Sequence, residues 1–168
     1  MSMPDDFGNS RFGVTGTATF FGNTATASGT IETSGDRDWF EINLEAGHLY
    51  QVDLFGQSLS DPYIRGIYDS FGAQLPGTTD DDGGFGLDSL LYFSAVQSGT
   101  HYISAGAFST RTGSYTLSVT DLTPSNDDFG DNTFSAGLTS TGSFTTGDIE
   151  ESGDQDWFGV FLEGGRIY

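Results

Sequence analysis

The chain of 168 residues carries 18 Asp and 6 Glu against 5 Arg and no Lys, a formal charge of −19, so its surface repels nucleic-acid phosphate and anionic membranes and favours metal cations as partners. With 25 Gly, 15 Phe, 7 Tyr and 2 Trp it has the turns and the apolar payload of an all-β globular domain, which excludes a disordered chain. The absence of Cys excludes a disulfide framework, thiol catalysis and a Cys-based zinc site.

Taken in chain order, the first expected strands are Val14 to Phe20 and Thr26 to Ile31. "SGDRDWF" follows, a glycine turn entering a strand, with Asp36 and Asp38 two residues apart. Two loop-borne carboxylates at that spacing can converge on one Ca²⁺, with Asp5 and Asp6 of the N-terminal arm as partners. The alternative is structural: Asp38 bonds turn N–H groups while Trp39 covers the edge of the core. "WFEINL" then alternates Phe40, Ile42 and Leu44 against Trp39, Glu41 and Asn43, and "YQVDL" alternates Tyr50, Val52 and Leu54 likewise. With only a short "EAG" turn between them, Asp38 to Leu54 is expected to be an antiparallel hairpin.

The next strand is Tyr63 to Tyr68, after which Asp69 and Gly72 suit a β-turn. "TDDDGGFGLD" is the second acidic cluster, with Asp80, Asp81, Asp82 and Asp88, and with Asp61 expected nearby in the fold. Three adjacent carboxylates repel one another unless a cation or strong solvation offsets them. Within it, "GGFGLDSLL" fits the nonapeptide of calcium-binding parallel β-rolls, but each roll site is shared between successive turns and a single copy cannot complete one. An EF-hand fails as well, because its third ligand position holds Gly84 and no Glu closes the loop. An independent calcium loop and a plain acidic loop both stay open. Strands Ser89 to Val96, Thr100 to Ala107 and Gly113 to Val119 complete a set of about eight, whose spacing predicts an antiparallel β-sandwich with jelly-roll-like topology.

The chain also repeats itself. Gly29 to Tyr50 aligns without gaps on Gly147 to Tyr168 with 13 of 22 positions identical, which places Asp154 and Asp156 opposite Asp36 and Asp38. "DDFGNSRF" at Asp5 pairs with "DDFGDNTF" at Asp127. The expected organisation is one complete β-sandwich over residues 1–122, a linker at 123–126, and the N-terminal part of a second copy over 127–168. The hairpin of that copy would expose Trp157, Phe158 and Phe161 and unpaired strand edges, which invites completion by more chain or strand exchange with another molecule.

Four motifs in order carry a family resemblance: "GDRDWFEINLEAGHLYQVDL", "DPYIRGIYDSFGAQL", "DDDGG" and "SGTHYISAGAFSTRTGSYTLSV". In these the chain resembles the bacterial pre-peptidase C-terminal domain, over nearly all of its first unit and over the second as far as that extends. The resemblance implies a β-sandwich appended to a secreted peptidase or other exoenzyme, acting in secretion support or substrate attachment. It also implies calcium, which rigidifies the N-terminal linker in a collagen-binding relative.

Other chemistry finds little support. His48 and His101 stand singly beside strand starts, without zinc-motif spacing, and are expected to be ordinary surface or edge residues. No G-x-S-x-G occurs. Tyr63, Phe71, Phe85, Tyr102 and Phe108 are candidates either for core or for a flat binding strip. "MSMPDDFG" lacks the basic and apolar regions of a signal peptide, so the export signal of a secreted protein would lie elsewhere in a longer chain. The sequence thus predicts a non-catalytic, calcium-stabilised accessory domain. Its partners would be the catalytic domain of the parent protein and, in an adhesion or polysaccharide- or collagen-binding role, an extracellular polymer.

Overall fold

A computed structural model describes residues 4–123, 137–147 and 156–168, and the chain divides into two compact units, Met1–Thr123 and Pro124–Tyr168. The first unit contains β1 (Gly16–Thr17), β2 (Phe20–Phe21), β3 (Thr24–Ile31), β4 (Asp38–Leu44), β5 (Leu49–Gly56), β6 (Pro62–Tyr68), β7 (Ser89–Ser94), β8 (Gly99–Ala107) and β9 (Gly113–Asp121). The second contains β10 (Gly137–Thr139) and β11 (Phe158–Val160).

The first unit is a β-sandwich of two sheets, ordered β1-β4-β8-β6 and β2-β3-β9-β5-β7. All pairings within it are antiparallel except β1 with β4, where Gly16 lies beside Phe40 in parallel register. From β3 to β9 each successive strand lies in the other sheet, which is jelly-roll winding.

That winding corrects the hairpin expectation. β4 pairs with β8 along its whole length, from Asp38 opposite Ala105 to Leu44 opposite Gly99, while β5 lies between β7 and β9 in the facing sheet. The "EAG" turn is therefore an arch between sheets. Phe40, Ile42 and Leu44 and Tyr50, Val52 and Leu54 are all buried in one core, so alternation identifies the inward faces but not which sheet each strand joins. The arch is held by the Tyr50 hydroxyl, which accepts the Glu45 N–H at 2.9 Å, and by Gly47 at φ 87°.

The expected strand from Val14 to Phe20 is also split. β1 joins one sheet and β2 the other, with buried Ala18 between them donating its N–H to the Glu41 carbonyl.

In the second unit, Gly137 pairs with Phe158 in parallel, as Gly16 does with Phe40. The Tyr168 hydroxyl accepts the Glu163 N–H at 2.6 Å, the same closure that Tyr50 makes on Glu45, and Gly165 takes φ 82° where its counterpart Gly47 takes 87°. The aligned segments thus share this local geometry. Asp154 lies outside the described residues.

Candidate cation sites

The first carboxylate cluster forms where β3 gives way to β4. Ile31 ends β3 in the core, and the turn that follows is closed by the Asp36 N–H on the Thr33 carbonyl, with Gly35 at φ 89°. Asp36 stabilises this turn with both oxygens, accepting the Arg37 N–H at 2.9 Å and the Glu32 N–H at 3.2 Å. Asp38, the first residue of β4, is fully buried, and its Oδ2 accepts the Tyr115 hydroxyl of β9 at 2.5 Å. A Cβ on Gly29 would stand 2.4 Å from that hydroxyl oxygen, so the approach of tyrosine to carboxylate requires glycine in β3.

The N-terminal arm completes the cluster. Asp6 clamps it to β3, accepting the Thr30 N–H at 3.0 Å and donating its own N–H to Glu32 Oε1 at 3.2 Å. Asn9 accepts the Arg37 N–H at 2.8 Å and donates to Asp5 Oδ2 at 3.3 Å. Phe7 packs on Phe40 with ring centroids 4.8 Å apart. The arm so held brings one oxygen of Asp5 within 4.8 Å of oxygens of Glu32, Asp36 and Asp38.

No cation offsets these charges among the described residues' ion pairs, and Glu32 Oε2 and Asp38 Oδ1 are buried with no hydrogen-bond donor. Burial first, and then the charges of Asp6, Asp36 and Glu32, push the Asp38 carboxyl up to about 8 against the opposing pull of the Tyr115 hydroxyl. Burial first, and then the adjacent Asp36 carboxylate, push Glu32 up to about 7. Burial, then the neighbouring charges of Asp5 and Asp36, raise Asp6 too, although its bond from Thr30 opposes them. Oxygen-only, loop-borne, carboxylate-rich sets of this kind suit hard cations, Ca²⁺ above all.

Of the residues expected here, Asp5, Asp36 and Asp38 come together, while Asp6 spends its Oδ2 on backbone. Glu32 was not among the expected residues. Its signal was present in the repeat, where Glu32 aligns with Glu150. Tyr115 lies 77 positions from its partner and gave no local signal.

The second acidic segment divides by role. Asp80 is bridged to Ile64 of β6 by two backbone hydrogen bonds, and its Oδ2 accepts the Gly83 and Leu90 N–H groups at 2.9 and 2.8 Å. Asp88 Oδ1 accepts the Gly56 N–H at 2.8 Å. These two shape the loop. Asp81 and Asp82 instead each place an oxygen within 4.8 Å of one another and of Asp61.

The histidines differ from expectation in one case: His101 is buried and contacts the Gly99 carbonyl, whereas His48 sits half-buried beside Asp121 at 2.7 Å. Phe71, Phe85 and Phe108 are exposed on loops, so only Tyr63 and Tyr102 of the five candidate aromatics share a sheet.

No family model matches the chain, and no curated protein does. Among solved structures it is similar to PliG of Aeromonas hydrophila, a periplasmic lysozyme inhibitor of g-type lysozyme, at 17% identity and TM-score 0.47, over 63% of this chain and 96% of that one. It is also similar to the pre-peptidase C-terminal domain of collagenase from Bacillus anthracis, at 17% identity and TM-score 0.46, over 61% and 93%. The Salmonella Typhimurium PliG matches at 15% identity and TM-score 0.39, over 63% and 97%. The β-sandwich assignment rests on the strand pairing of the chain itself.

Proposed function

We propose that the chain is a non-catalytic accessory β-sandwich of a secreted multidomain protein, a peptidase or other hydrolase, in which Ca²⁺ on Asp5, Glu32, Asp36 and Asp38 fastens the N-terminal arm to the sandwich. The carrying observation is the pair of buried, donorless oxygens, Asp38 Oδ1 and Glu32 Oε2, inside a four-carboxylate cluster. Unpaired buried acceptors are costly and rare, and a bound cation would satisfy both while cancelling the repulsion. Bound calcium would fix the direction in which the arm enters the domain, and so the spacing between the domain and whatever precedes it.

Asp5→Asn tests this without disturbing the core, because Asp5 is exposed. Calorimetric titration should show at least tenfold weaker Ca²⁺ binding than for the native chain, in line with loss of one charged ligand. Identical isotherms would contradict the site.

The alternative role, binding an extracellular polymer, draws on an open groove of about 340 Å³ lined by Leu75, Pro76, Thr78, Tyr92, Phe93 and Val96, where Tyr92 and Val96 are exposed. Retention on collagen, chitin or alginate that Tyr92→Ala abolishes would favour it; no retention on any of them removes it. For assembly, we propose strand exchange between copies through residues 127–168, on the strength of the exposure of Trp157, Phe158 and Phe161.

A further inference from the structure

We propose that Asp61, Asp81 and Asp82 form a second, separate Ca²⁺ site, and that Arg111 is its built-in competitor. The three carboxylates come from two loops, the one entering β6 and the one entering β7, and each brings an oxygen within 4.8 Å of the others. Proximity of acidic groups alone would be unremarkable on a chain of this charge. Asp61 is different, because it is only 5% exposed and its Oδ1 is buried without a hydrogen-bond donor. Asp81 Oδ1 is buried and donorless as well. Two orphaned carboxylate oxygens in one cluster point to a ligand that accepts lone pairs, since a buried acceptor left unpaired carries the full cost of its desolvation.

The hydrogen bonds around the cluster leave these oxygens free. Asp80 and Asp88, the flanking acids, are consumed by backbone N–H groups. The Ser89 hydroxyl, at the start of β7, contacts the Pro62, Asp80 and Asp81 carbonyls and ties the two loops together. The site is thus held by contacts that do not use the candidate ligands.

One cation is already there. Arg111, from the loop between β8 and β9, places Nε 2.9 Å from Asp61 Oδ2 and its Nη1 3.2 Å from Ser60 Oγ. It offsets one of three charges. Its guanidinium occupies the second oxygen of Asp61 and leaves Oδ1 unpaired, so a divalent ion can enter beside it but is repelled by it. Arg65, the other cation near Asp81, is engaged by the Ala107 carbonyl and the Tyr63 ring. The class of ligand follows from the donors: all oxygen, three carboxylates, no nitrogen or sulfur, hence a hard divalent cation.

The proposal is independent of the arm site and is tested alongside it by titrating Ca²⁺ into the chelator-treated full chain. Asp81→Asn with Asp82→Asn should remove one equivalent of bound Ca²⁺ relative to the native chain, while Asp38→Asn leaves that equivalent in place. Arg111→Gln should tighten the same equivalent about tenfold, the Coulomb effect of removing a unit charge a few ångström from a divalent ion at near-aqueous dielectric. An isotherm unchanged by the double Asn variant overturns the site, and weaker binding in Arg111→Gln overturns the competitor role. If the native chain binds only the equivalent that Asp38→Asn removes, this inference fails and the arm site stands; if it binds only the one that the double variant removes, the reverse holds. Circular dichroism of each variant separates lost binding from lost fold.

Discussion

Among single residues, Asp38 carries the largest consequence for stability and cation binding. Its carboxylate accepts one hydroxyl and faces three other acids, so above about pH 8, where it is charged, the uncharged isostere is expected to be more stable when calcium is absent. In chelator above about pH 8, Asp38→Asn should raise stability by about 1 kcal/mol, the size of a typical hydrogen bond gained with a repulsion lost, and should lose its response to Ca²⁺. Tyr115→Phe removes the only donor that Asp38 has among the hydrogen bonds described and is expected to cost about 1–3 kcal/mol, read by urea unfolding.

The pH dependence follows with a definite sign. Asp38 and Glu32 hold their protons more tightly in the folded state, at about 8 and about 7 against ordinary values of 3.8 and 4.5. Their contribution without calcium is complete below the ordinary values and is lost as pH rises through 7 to 8. In chelator, the unfolding midpoint should therefore fall between pH 5 and pH 8.5, and a rising midpoint would contradict the assignment. The Asp36–Asp38 pair was legible in the sequence because both carboxylates sit two residues apart where a glycine turn enters a strand. Tyr115 was not, because it arrives by strand pairing from the far end of the domain.

At the scale of elements, the arm and the arch show what pattern can and cannot specify. Alternation along β4 and β5 identified the core-facing residues, since one face of each strand must reach the core, but not that Trp39 and Asp53 on the opposite faces are buried too. Whether the two strands pair with each other or face each other is decided by competition among all strands for partners, and β8 and β9 outcompete the local turn. Their long pairings make core substitutions there costly: Leu117→Ala, fully buried in β9, is expected to lose about 2–5 kcal/mol. Among the described residues the arm has no strand beyond the two residues of β1 and is held by its polar clamps and by Phe7 against Phe40. Phe7→Ala, which removes the ring packed on Phe40, should weaken calcium binding at the arm site by loosening the delivery of Asp5. Unchanged affinity would mean that the arm is positioned by its polar clamps alone.

At the scale of the whole molecule, the repeat and the charge set behaviour. Trp39, Phe40, Ile42 and Tyr50 are buried in the first unit, whereas Trp157, Phe158, Val160 and Tyr168, their counterparts in the repeat, are exposed in the second. Apolar positions of that density, on short strands that pair only with each other among the described residues, favour pairing with another chain. Light scattering should show association that grows with concentration and with salt, because a net charge of −19 resists close approach until it is screened. A monomer at every concentration and ionic strength would count against strand exchange. The repeat was readable from identity alone. The sheet to which each strand belongs was not, because it depends on contacts distant in sequence.

Calcium bound to the folded domain would complete a cluster of carboxylates that no cation offsets among the described residues' ion pairs. Calorimetric unfolding of the full chain at pH 7.5, with Ca²⁺ a hundredfold above its dissociation constant and then with chelator, tests it most directly. Linkage gives a difference of about 2.7 kcal/mol for one site, a midpoint about 10 °C higher with calcium for a domain of this size. Equal midpoints in the two conditions would contradict the account.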